Sequence, residues 1–378
     1  MPETSRHSLA IIGAGPVGLE AAALALELGF DAHVFERGGP GEHVSAWGHV
    51  RMFTPWRMNV GPASARLLSR HGWSAPDPAA PSTGAELAER VLAPLAATPE
   101  LKARVHAHAH VVHVSRHGAR RGDPAGGAAR AEHPFRLLVR DAGGRESFLH
   151  AHALIDASGT YGQPNWAGTG GIPARGETYL APQMSYHPDD VLGMRRERYA
   201  GKAVLVIGGG SSAATTVAAL EQLAREAPGT RVTWVTRRET PGITGEEPND
   251  VLPVRAALHA EGRRLQSDGS PHVRWWGGGE CEGLEYNSAT HRYRVQFAAK
   301  AGARAEEADQ VIVNCGHGPD ASLHHELRAQ EDEPGFFILG AKSHGRSSAF
   351  LLETGYRQAV RVLAALAEAA GLRAPQEA

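Results

Sequence analysis

Two glycine-rich turns carry the chemistry legible in this sequence. The first is Gly13-Ala14-Gly15-Pro16-Val17-Gly18, directly after the apolar run Ser8 to Ile12 and at the head of a helix-length segment, Pro16 to Gly29. Glycine at 13 permits a tight turn, at 15 it lets a pyrophosphate approach the backbone, and at 18 it lets helix pack on strand. Pro16 and Val17 open the helix, whose free N–H groups would face the phosphates. A second run, Asp31 to Glu36, ends on an acid where ribose hydroxyls of an adenosine half would lie, and Arg37 follows it. A solitary Gly-x-Gly-x-x-Gly can be an ordinary turn; strand, helix, strand and terminal acid together read as a dinucleotide site.

The same grammar returns at Gly208-Gly209-Gly210-Ser211-Ser212-Ala213, between a strand at Ala203 to Ile207 and a helix at Ser211 to Glu226. Ala213 replaces the third glycine, a change the fingerprint tolerates. The following strand, Arg231 to Thr236, ends on Thr236-Arg237-Arg238 instead of an acid. A hydroxyl and two guanidiniums match a 2′-phosphate, so NADPH is expected over NADH. The alternatives are that these arginines are solvated strand-end charges, or that Glu239 serves an NADH ribose.

The elements that must position these turns define an α/β chain. Between the two units, Val105 to Val114 and Phe135 to Val139 read as strands, with a Gly/Ala/Arg-rich stretch, Gly118 to Arg130, expected as a mobile loop. Strands at Ala153 to Ile155 and Gln310 to Val313 run into Asp156-Ala157-Ser158-Gly159 and Asn314-Cys315-Gly316; Phe336 to Leu339 is the last strand, and a terminal helix is expected from about Ser348 to Ala370. The simplest layout inserts the second unit into the first domain: residues 1–170 and 317–378 form one domain and 171–316 the other.

Composition narrows the function. With 39 basic against 41 acidic residues, a net charge of −2 and no long basic block, nucleic acid and anionic membranes are not expected partners; a small-molecule substrate is. The longest apolar helical stretch, Val17 to Phe30, carries Glu20 and Glu27, so no membrane span is expected. The polar segment Met1 to Ser8 lacks signal-peptide grammar, which implies a cytoplasmic protein, and a homodimer is compatible with the sequence. The two cysteines, Cys281 and Cys315, form no Cys-x-x-Cys pair, which argues against a dithiol redox centre; Cys315 reads as structural. His106, His108 and His110 alternate as on one strand face, but no acid or cysteine joins them, and no metal is assigned.

Taken together, Gly-Ala-Gly-Pro-Val-Gly-Leu-Glu, Glu36-Arg37, Asp156-Ala157-Ser158-Gly159, the second glycine turn and Asn314-Cys315-Gly316 resemble the two-dinucleotide-domain flavoprotein superfamily over nearly the whole chain. That group includes thioredoxin reductase-like enzymes and class B flavin monooxygenases. The resemblance implies a three-layer Rossmann-like FAD domain with an inserted Rossmann-like NAD(P)H domain. FAD would sit at the first turn with Ser158 and Gly159 near its phosphates and Val111 near the adenine; NAD(P)H would sit at the second, and Gly316 is counted among the cofactor-binding residues.

The superfamily's Gly-Asp pair before the last helix is Gly340-Ala341-Lys342 here, so the ribityl contact must be made otherwise; Gly340 backbone, Ser347 and Ser348 are the candidates. A helix start near Ala349 and Phe350 would face the flavin pyrimidine. The monooxygenase Phe-x-Gly-x-x-x-His signature is matched loosely by Met184-Ser185-Tyr186-His187, whereas aromatics at Trp47, Phe53 and Trp56 stand where monooxygenases cover the flavin; Trp47 lines the substrate face or is core. The expected activity is FAD-dependent NAD(P)H oxidoreduction, with monooxygenation of a small organic substrate leading. A flavin reductase or dehydrogenase and a dinucleotide-binding sensor without turnover are the rivals.

Overall fold

A computed structural model describes residues 7–123, 127–247, 249–347 and 349–372. The chain divides into two compact units, Met1–Gly162 with Pro319–Ala378, and Gln163–Gly318. The boundaries expected from sequence lay at 170/171 and 316/317.

In the first unit, the strands Phe336–Ile338, Ala153–Asp156, Ser8–Ile12, Asp31–Phe35 and Val105–His106 form, in that spatial order, one parallel sheet. The central strand is apolar from Leu9 to Ile12 because it is buried on both faces. Leu9 and Ile11 pack with the helices Pro16–Glu27 and Leu352–Ala370, while Ala10 and Ile12 face a layer holding Val111, Val114 and Phe135. That layer is an antiparallel sheet of His110–Arg116, Phe135–Arg140 and Glu146–Ala151. Parallel sheet, helices and antiparallel sheet make the three expected layers.

The second unit repeats the plan. Its parallel sheet runs Val273–Gly277, Arg231–Thr236, Ala203–Ile207, Gln310–Val313. Val204 and Val206 pack under the helices Ser211–Glu226 and Pro253–Ser267; Leu205 and Ile207 face the antiparallel strands Glu280–Asn287, Arg292–Ala298 and Arg304–Ala308. No helix among the described residues is long and apolar enough to cross a membrane.

Three expectations are corrected. The run Val105 to Val114 is two strands broken at His108, whose φ of +54° ends the first; Val105–His106 joins the parallel sheet and His110–Arg116 the antiparallel one. His106, His108 and His110 therefore share no face, and His106 instead stacks on Phe35 and meets His33 Nδ1 at 2.9 Å. The stretch read as a mobile loop holds a short helix, Gly127–Ala131, and Arg130 is fully buried against Glu333 at 2.8 Å, which also accepts from Arg116. A buried carboxylate shared by two guanidiniums ties that segment to the unit's interior. The terminal helix starts at Leu352, so Ala349 and Phe350 precede it, and Ser348 lies outside the described residues.

Two candidate dinucleotide sites

The first glycine turn is shaped by what a side chain would strike. Gly13 takes φ +100°, and a Cβ there would stand 2.8 Å from Ala157 O and 2.9 Å from Ser158 Cα. A Cβ on Gly18 would fall 1.9 Å from Gly13 O, so the helix lies directly on the turn. Gly15 differs: a Cβ there meets nothing within 4 Å, which leaves an open cradle at the start of a helix that begins Pro16-Val17. Glu36 is fixed beside this cradle, accepting from Ala14 N–H at 2.8 Å and Gly38 N–H at 2.9 Å. Arg37 is exposed, its Nη2 3.2 Å from His43 Nε2.

The other residues expected near FAD fall on both sides of this turn. Ser158 donates from N–H and Oγ to Asp156 Oδ1, at 3.0 and 2.6 Å, and Gly159 takes φ +73° in open space. Gly340, at φ +74°, donates its N–H to Gln358 Oε1 at 2.9 Å and lies close to Val17. Phe350 is half-buried, and its ring centroid is 5.2 Å from that of His344. Trp47 packs on the core, and its ring fills the space beside Gly84, 2.5 Å from where a Cβ would be. Trp56 is core as well. The Val111 side chain is buried in the cluster with Phe135 and Leu137.

Lys342, to which the sequence reading gave no role, has its own partner. Its ammonium donates to Asp156 Oδ2 at 2.6 Å and to Ser158 Oγ at 3.2 Å, and both charged groups are buried. Burial pushes the Asp156 carboxyl pKa up. His324, the charge and hydrogen bond of Lys342, and the Ser158 hydroxyl more than reverse this, holding it at about 2. His324 Nε2 stands at 3.5 Å, the outer edge of a hydrogen bond, so Lys342 is the principal partner. The pair clamps the segment after the last strand to the turn that touches Gly13. Its one sequence signal is an isolated lysine in an arginine-rich chain.

The second turn has the same build. Gly208, at φ +144°, would place a Cβ 2.2 Å from Asn314 O, and Ala213, fully buried, takes the third position with its methyl close beneath the turn. Gly210 opens on free space as Gly15 does. Ser211 and Ser212 start the helix, and Ser211 Oγ is 2.8 Å from His259 Nε2, a buried residue that sequence reasoning passed over. Thr236 is turned inward: its hydroxyl donates to Arg238 O at 2.9 Å and accepts from Trp275 Nε1 at 3.2 Å, so it fastens the strand end. Arg237 and Arg238 are exposed beyond it, and Arg238 lies over Gly242 and lines a cavity of about 550 Å³ with Arg263 and His259. Gly316, at φ +81°, closes the turn after Gln310–Val313, where Asn165 Nδ2 donates to Cys315 O at 3.0 Å. His187 and His317 stack within this unit, with Nδ1 and Nε2 3.0 Å apart.

Each cradle is open where a diphosphate needs room and blocked where the turn needs glycine, and each therefore fits a dinucleotide. Solved structures with this architecture include the bacillithiol disulfide reductase Bdr (YpdA) of Bacillus cereus, with TM-score 0.69 and 19% identity over 96% of this chain and 99% of that one. The ornithine hydroxylase PvdA of Pseudomonas aeruginosa gives 0.68 and 14% over 96% and 99%. The ornithine N-hydroxylase KtzI of Kutzneria sp. 744, solved with reduced FAD, NADP+ and L-ornithine, gives 0.66 and 16% over 97% and 100%.

The fold is that of the two-dinucleotide-binding-domain flavoproteins. The resemblance read from the sequence thus holds at the level of architecture. Residues 128–248 also match the family model of L-lysine 6-monooxygenase/L-ornithine 5-monooxygenase. Among curated protein sequences, none matches this chain.

Proposed function

We propose that this two-domain flavoprotein fold serves an FAD-dependent NADPH monooxygenase that hydroxylates a primary amine nitrogen of a small diamine or diamino acid. The observation that carries the cofactor reading is the pair of separately built cradles, at Gly15 and Gly210, with Glu36 beside the first and Arg237-Arg238 beyond the second. Gly13, Gly15, Gly18, Glu36, Ser158 and Gly159 hold FAD; Gly208, Gly210, Ser211, Ser212 and Arg238 hold NADPH. The amine class is supported by the family model over residues 128–248 and by the likeness to two ornithine hydroxylases. The reaction balances as amine, O2, NADPH and a proton giving hydroxylamine, water and NADP+. Bound FAD would supply electron transfer and oxygen activation; the protein binds, orients and excludes water.

The likeness to Bdr favours a second reading, reduction of a small disulfide. The thiols weigh against an internal relay: burial, with the Glu177 charge, pushes both Cys281 and Cys315 up to about 12, so neither is a thiolate at neutral pH. The test is NADPH consumption by FAD-loaded protein with L-ornithine, L-lysine or cadaverine against a small disulfide. Amine-stimulated consumption with a hydroxylamine product is expected; turnover on the disulfide alone would replace this proposal with the second reading.

A further inference from the structure

The helix Ser211–Glu226 begins on the second glycine turn, and its first side chain is already held. Ser211 Oγ lies 2.8 Å from Nε2 of His259, which is carried by the helix Pro253–Ser267. His259 is 2% exposed, and its Nδ1 has no hydrogen-bond partner among the described residues. It also lines the cavity shared by Arg238, Arg263, Glu246 and Asp250. Burial pushes its pKa down; Asp250 and Glu247 raise it and Arg255 lowers it, with a net fall that leaves the ring neutral at pH 7.

A neutral imidazole has one N–H. With no anion at the turn to offset it, a proton on Nδ1 would make a buried donor without an acceptor among the described residues, and Ser211 would have to give its only proton to Nε2. On Nε2 it donates to Ser211 Oγ and frees the hydroxyl proton for an acceptor at the helix start. The acids near His259 are engaged: Asp250 with Arg255 at 2.6 Å, Glu247 with Arg255 at 3.2 Å, and Glu246 with Arg263. The positive end of the helix opposes a charged imidazole, so an anion at the turn is what would favour one.

Resting on the reading of this turn as the NADPH site, we propose that His259 is a positioning residue for the dinucleotide: its Nε2–H turns the Ser211 hydroxyl proton toward a phosphate oxygen, and Nδ1 takes up a proton from solvent when that anion binds.

The experiment is calorimetric titration of the FAD-loaded protein with NADP+ from pH 6 to 8, in buffers of different ionisation enthalpy. His259→Gln keeps an N–H for Ser211 but cannot take a proton. The 2′-phosphate titrates in the same range, so the difference between unmodified and His259→Gln proteins is the quantity read. The unmodified protein is expected to take up more protons and to lose affinity more steeply as pH rises. Ser211→Ala should weaken NADP+ binding on the order of tenfold at pH 7, and adding His259→Gln should then change little. Equal proton uptake in His259→Gln, or unaltered affinity in Ser211→Ala, overturns the inference alone. Failure of the unmodified protein to bind NADP+ overturns the site reading with it.

Discussion

Lys342 shows how much one residue can reorganise. Two residues beyond Gly340, this chain has a buried ammonium on Asp156, within reach of Ser158. Removing one partner of such a pair leaves an uncompensated charge, so Lys342→Met should cost about 3–5 kcal/mol and weaken FAD binding through the Ala157–Ser158 turn. The double variant Asp156→Asn/Lys342→Met should recover much of the stability in urea unfolding. The pH sign follows from the depressed carboxyl. Its contribution is complete above the unfolded value near 4 and fades as pH falls through about 2. Between pH 6 and pH 3 the native protein should lose about 1 kcal/mol more than the double variant. A variant with unchanged acid sensitivity would show that the pair is not what stabilises the turn. Glu36 and the glycines were legible because they obey a spacing rule; Lys342 and His259 were not, because only folding brings Asp156 and Ser211 to them.

The elements that were legible are those buried on both faces. Ser8–Ile12 and Ala203–Ile207 read as apolar runs because alternate residues serve two different layers. Glu146–Ala151 and Glu280–Asn287 were missed because much of their surface is solvated and polar, which weakens the signal of a strand. The terminal helix was legible as an element but not in its start, since its N-cap is Leu351, which has no capping side chain to mark it. That helix matters through one close approach: a Cβ on Gly355 would come within 2.5 Å of Val17 Cγ2. Gly355→Leu should therefore press on the helix of the first cradle, costing about 1–3 kcal/mol and lowering the FAD content of purified protein. Thermal unfolding and the flavin-to-protein absorbance ratio measure both, and a fully loaded, equally stable variant would contradict this packing account.

At the scale of the molecule, the repeated strand–turn–helix grammar was enough to read two similar units, one lying between two segments of the other, because a turn of this build needs glycine at set positions. The substrate was not legible, since no spacing rule governs an amine pocket. Two cradles built in separate units should fail separately. Neither Gly15 nor Gly210 adopts a left-handed backbone and both open on free space, so valine there should block a phosphate without disturbing the fold. Gly15→Val should purify colourless yet bind NADP+, and Gly210→Val should stay yellow yet resist reduction by NADPH; loss of both cofactors from either variant would contradict the separation.

The central claim is that electrons from NADPH are used to place oxygen on a small amine. Its most direct measurement is the mass of the product formed by FAD-loaded protein from NADPH, 18O2 and L-ornithine, L-lysine or cadaverine. The account predicts a hydroxylamine carrying one labelled oxygen, formed in proportion to the NADPH consumed. NADPH consumption that yields only hydrogen peroxide or a reduced acceptor, with no label in any amine, would contradict it.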